Sequence, residues 1–239
     1  MSRAGQNGGD AMGAILLLLF FLTFLTSAAA DAAVSVPQDF PPSGRLVYDI
    51  WRDGSVIGRN QVDFEKNGDR LTVHTVIDIE VKVLFVPVYR FEHDAVEQWV
   101  DGKLVRFRAV TDDNGKDRDV LLERVGDELR GHYNNDQRAL PGDLLPGSLW
   151  HPATVDQTQL IEPTKGRARQ VTVIDRGLEM VDLGGRKVEA HHYSITGEFR
   201  REVWYAADGT VVQAAFPARD ESLVTLKLRQ STLAQRAAP

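Results

Sequence analysis

The chain has 239 residues, no cysteine and a formal net charge of −6. The missing thiols exclude disulfide staples, thiolate catalysis, lipobox lipidation and cysteine-based zinc sites. The acidic balance argues against nucleic-acid binding, which needs a basic face to neutralise phosphate.

Residues 1–30 read as a secretory signal. Arg3 supplies a thin positive start, residues 14–26 (AILLLLFFLTFLT) form the apolar stretch, and Ala28, Ala29 and Ala30 offer an A-x-A cleavage site. The apolar run is shorter than the roughly 20 residues a bilayer-spanning helix needs. The expectation is therefore an exported chain, periplasmic or secreted after cleavage near Ala30, with retention as an N-terminal anchor as the alternative. Loss of Arg3 and Asp10 with this segment leaves the net charge at −6. Residues 31–43 are a proline-rich linker, residues 44–230 fit a single antiparallel β domain, and residues 231–239 form an aperiodic tail.

From Arg45 onward, glycine-containing turns recur at strand-length intervals. Strands are expected at residues 45–52 and 56–66 around Asp53-Gly54, and at 71–81 after Asn67-Gly68. In the last of these Leu71, Val73, Ile77 and Ile79 share a face. Residues 81–88 (VKVLFVPV) break the alternation, and Pro87 marks an edge, a bulge or a strand end. Residues 89–111 read as a hairpin turning at Asp101-Gly102. Its first strand puts Tyr89, Phe91, Ala95 and Trp99 on one face, together with two ionisable groups, His93 and Glu97. Strands at 118–125 and 128–133 follow. Residues 134–167 form a long irregular stretch with four prolines, in which a minor helix could hide. Strands resume at 168–176, 178–183, 186–196, 198–206, 210–217 and 223–229. A weak echo links Glu97-x-Trp99 and its Asp101-Gly102 turn to Glu202-x-Trp204 and Asp208-Gly209.

Tyr89, Arg90, His93, Glu97-x-Trp99, the turn at 111–116, Trp150-His151 and the Trp204–Gly209 hairpin together resemble a group of small bacterial exported proteins known only as a domain of unknown function. The resemblance covers residues 42–229. It implies a curled antiparallel sheet similar to the half-barrels of periplasmic lipoprotein carriers, and it carries no activity and no catalytic residues.

His93 and Glu97 stand about 13 Å apart along one strand, too far to form a dyad unaided. They are either polar markers on the floor of an apolar groove or charges paired with Arg106 or Arg108. His191 and His192 point to opposite faces and cannot share one metal ion without a bulge. Asp112-Asp113-Asn114-Gly115 fits turn chemistry better than a calcium loop. Trp150 either lids the groove, with His151 facing a ligand, or staples the long stretch to the sheet. Leu84, Phe85, Val86 and Val88 form either an exposed apolar lip or a bulge closing the core.

These readings combine into an all-β fold, a strongly curled antiparallel sheet or open β-barrel with a long irregular insertion. The expected function is non-enzymatic binding or carriage of a lipid or other apolar small molecule in the cell envelope, with transient membrane-surface contact and no nucleic acid, cofactor or metal. The expected ligand-binding residues are Tyr89, Phe91, His93, Glu97, Trp99, Val105, Phe107 and Trp150, with the lip at Leu84, Phe85, Val86 and Val88. The alternatives are a hydrolase or isomerase using His93 and Glu97, or a structural or assembly protein of the envelope.

Overall fold

In a computed structural model of the protein, residues 41–233 are described. The expected signal segment, most of the expected linker and the end of the tail lie outside them. The alternating sequence folds into consecutive antiparallel hairpins: β1 (Gly44–Arg52), β2 (Ser55–Asn67), β3 (Arg70–Val83), β4 (Val86–Val100), β5 (Lys103–Asp113), β6 (Asp117–Val125), β7 (Glu128–Tyr133) and β8 (Asp136–Pro141). The two-residue β9 (Leu145–Pro146) and a 3-10 turn (Pro152–Asp156) lead to β10 (Gln159–Glu162), β11 (Arg167–Asp182), β12 (Lys187–Gly197), β13 (Arg201–Tyr205), β14 (Val211–Pro217) and β15 (Leu223–Ser231).

The fifteen strands of the described residues belong to one sheet, ordered β8 back to β1, then β15 back to β9. The first and last strands pair with each other, Ile50 opposite Leu226 and Tyr48 opposite Leu228. The two sheet edges, β8 and β9, are neighbours in sequence. The four Cα steps from Pro141 to Leu145 span at most about 14 Å. The edges are thereby drawn together and the sheet curls, but no ladder joins β8 to β9, so the barrel stays open.

The inward residues form one large core around Trp99, Phe107, Trp150, Ile161, Val203 and Tyr205. A smaller apolar cluster gathers around Ile50, Ile79 and Val224, with Phe91, Phe216 and Leu226 packed on it. Burying this much aliphatic and aromatic surface holds the fold, at roughly 1.5–3 kcal/mol per large side chain.

Three expectations from sequence change. Residues 134–167 are not irregular throughout, because they carry β8, β9 and β10, and the helix-like element is only the 3-10 turn. The strands expected at 168–176 and 178–183 are one strand, β11, whose register against β12 shifts between Asp175 and Gly177. Val105 does not share the inward face with Phe107. Trp99 pairs with Leu104 across a register shift, so Leu104 is 2% exposed and Val105 occupies the bulge.

Candidate functional site

A cavity of about 500 Å³ lies between the two apolar clusters. Adjacent strands build its wall because their inward rows are in register: Phe91 faces Ile79, His93 faces Ile77, and Glu97 faces Phe107. Ile50 from β1 and Leu226 from β15 continue the apolar side. Tyr89, Phe91, His93, Glu97 and Phe107 all border this cavity, whereas Trp99, Val105 and Trp150 do not.

Glu97 is 1% exposed and sits at the inner limit of the cavity. Its Oε2 accepts from the indole N–H of Trp99 and that of Trp150, both at 3.1 Å, and its Oε1 accepts from the Ser148 hydroxyl at 2.7 Å. Burial pushes its pKa up to about 7, against the pull of these three donors. The side chain therefore fastens the segment after β9 to β4. That segment is held twice more, by the Tyr205 hydroxyl donating to the Leu149 carbonyl at 2.7 Å and by Trp150 packing edge-on against Phe64 and Trp99. Gly147 lets it pass, since a Cβ there would stand 2.7 Å from the Phe199 ring. Trp150 is a buried staple rather than a lid. His151 accepts from the Ala153 N–H and packs beside both tryptophans.

His93 is buried, and its Nδ1 lies 2.7 Å from the Thr111 hydroxyl, the residue directly across the ladder. Burial lowers its pKa to about 4, so the ring is neutral at physiological pH. His93 and Glu97 do not hydrogen-bond each other. Neither pairs with Arg106 or Arg108, which bind Glu123 and Asp119 instead. Asn60 Oδ1 and Thr75 Oγ1, also on the cavity wall, are buried without a hydrogen-bond partner.

Sequence alternation overlooked several wall residues: Asn60, Thr75, Arg118, Arg201 and Phe216. Arg201 carried the same signal that drew attention to His93 and Glu97. It is a charge in a row otherwise occupied by Val203 and Tyr205.

At the far end of β3 and β4 the hairpin turns at Leu84 and Phe85, both at positive φ (48° and 69°). Such turns normally carry Asn-Gly, because a side chain in this region costs roughly 1–2 kcal/mol. Leu84 is 88% exposed and Phe85 95%, with Val83, Val86 and Val88 also exposed. The apolar stretch is thus a projecting tip, not a flap over the core.

The histidine pair divides across the sheet. His191 binds Asp175 at 2.6 Å and stacks on Tyr193, while His192 bridges Glu179 and Glu202 at 2.8 and 2.7 Å. Among the described residues no group of three or more His, Asp or Glu is arranged to hold a metal ion. Asp112 accepts from the Gly115 N–H at 2.6 Å and Asn114 has φ 55°, so this loop is an ordinary turn.

The architecture is a β-barrel-like sheet that does not close. The chain belongs to the family described as Domain of unknown function (DUF6134), whose model matches residues 48–229. Among solved structures it is similar to a β-barrel-like protein of Domain of Unknown Function DUF1849 from Brucella abortus. That likeness has a TM-score of 0.59 at 14% identity and covers 81% of this chain and 98% of the other. It shows the fold alone. No curated protein matches the sequence.

Proposed function

We propose that the protein is an exported binder or carrier of an apolar or amphiphilic small molecule in the cell envelope. The observation carrying this reading is the cavity of about 500 Å³, whose surface is mostly apolar, with buried Asn60, Thr75, His93 and Glu97 in its wall and charged side chains such as Glu162, Arg169 and Arg201 around it. Ligand sites have this composition and fall in the range of roughly 300–1,000 Å³. The apolar tip supports the reading, because it stands on the same two strands as Ile79, Tyr89 and Phe91 of the cavity wall. A tip that keeps two bulky residues strained and in water is suited to touching a lipid surface from which a ligand is drawn.

Lipid extraction and native mass spectrometry of the protein isolated from its own envelope test the carrier role. A co-purifying amphiphile is expected, and a protein that emerges empty and binds no added lipid overturns it. The tip has a separate test. Phe85→Gly should raise stability by about 1 kcal/mol by relieving the positive φ, yet weaken association with lipid vesicles in a flotation assay. Unchanged flotation removes the tip from the function.

A further inference from the structure

Arg201 is a cation on the cavity wall without a counter-ion among the described residues. Its guanidinium carbon lies 4.1 Å from the ring centre of Phe199 and 4.6 Å from that of Phe216. One terminal nitrogen, Nη1, donates to the Arg200 carbonyl at 2.7 Å. Among the described residues no carboxylate lies within ion-pair distance of it. The charge felt most is Glu162, whose oxygens are taken by Lys165, Arg167 and Arg169 at 3.0, 2.9 and 2.7 Å. Arg200 is engaged with Glu221. Burial lowers the pKa of Arg201 only to about 10, so it is charged at physiological pH.

The carboxylates around the cavity are outnumbered in a second place. Asp113 serves both Arg118 and Arg219, each at 2.5 Å, as well as the Tyr89 hydroxyl. The wall is therefore locally cationic although the whole chain carries −6. Arg201 is partly buried, and a guanidinium held against aromatic rings with only part of its hydration favours an anion at its open edge. Among the described residues no acceptor meets the Nε and Nη2 edge, which presents the side-by-side donors that fit two oxygens of one oxyanion.

We propose that the cavity takes a single-chain amphiphile with an oxyanion head, a carboxylate or a phosphate monoester, and that Arg201 is its counter-ion. The hydrocarbon lies along Ile50, Ile77, Ile79, Phe91 and Leu226. This rests on reading the cavity as a ligand site.

The test displaces the neutral fluorophore N-phenyl-1-naphthylamine from the purified protein with dodecanoate, dodecyl phosphate or dodecanol, each below its micellar concentration. Both anions, or one of them, should bind about tenfold or more tighter than the alcohol. The tighter anion identifies the head. Arg201→Gln should erase the preference while leaving dodecanol affinity unchanged, and Arg201→Lys should keep part of it. Equal affinity of anions and alcohol for the unaltered protein overturns the oxyanion assignment and leaves the carrier reading standing. Failure of the fluorophore and all three chains to bind overturns both. The comparison within the unaltered protein holds even if a variant misfolds.

Discussion

Glu97 with Trp99, and Glu202 with Trp204, have the same spacing on similar hairpins, yet they face opposite sides of the sheet. On the inner side Trp99 donates its indole N–H to the buried Glu97, and burial lifts the acid to about 7. On the outer side Trp204 stacks on His192 at 4.1 Å and donates to Glu179, while Glu202 takes His192 and Ser194. There Glu179 is held below its ordinary range by the Trp204 N–H and by His192. The chemical groups are nearly identical, and the access of water decides whether a carboxylate is driven toward its neutral or its charged form.

The largest difference between the two sides is expected at the tryptophans. Trp99→Ala should cost about 4 kcal/mol in urea unfolding, because it opens a cavity against Trp150 and strips Glu97 of a donor. Trp204→Ala should cost about 2 kcal/mol, since it loses a stacked ring and one hydrogen bond at the edge of solvent. Equal losses would show that the two sides are not energetically distinct.

The pH dependence sharpens the contrast. Glu97 has a folded-state pKa of about 7, above its ordinary 4.5, so its stabilising form is the protonated one. That contribution is complete below pH 4.5, is lost as pH rises toward 7 and is absent above. The Glu97→Gln variant keeps an oxygen for the two indoles and can donate to Ser148. It should flatten this slope and gain about 3 kcal/mol over the parent at pH 8, with no gain at pH 4. On the outer side the sign reverses. Glu179 contributes above its ordinary pKa and weakens as pH falls, and its exposure keeps the effect small. A pH-independent difference between parent and Glu97→Gln would remove the buried acid from the account.

The smallest effect expected is at Ser148. Its loss in Ser148→Ala leaves Glu97 Oε1 without its donor, costing about 1–2 kcal/mol at pH 8 and less at pH 5, where the acid is largely neutral. A cost that does not change with pH would place Ser148 in packing alone.

Much of this architecture was legible in the chain. Alternation located the strands from β1 to β7, and the row containing Phe91, His93 and Glu97 lines the cavity wall. Arg201 was legible in principle by the same parity argument, since it shares its row with the buried Val203 and Tyr205. The exchange of Val105 for Leu104 and the merging of two expected strands into β11 were not legible. A bulge inverts parity through the register of a partner strand, which local alternation does not record. β8, β9 and β10 were not legible because they are short and lie in a proline-rich stretch, and they exist through pairing of β8 with β7, β10 with β11 and β9 with β10.

By itself the sequence determined an all-β chain without covalent staples, the facing of β2, β3 and β4, and an apolar stretch that no simple alternation could bury. These are local consequences of side-chain period and turn chemistry. Tertiary structure decided that Glu97 is a buried fastener, that Trp150 is core rather than lid, that Phe85 stands in solvent and that Arg201 meets no anion among the described residues. Each depends on which distant groups share a dry volume, and the curling of the sheet sets that volume.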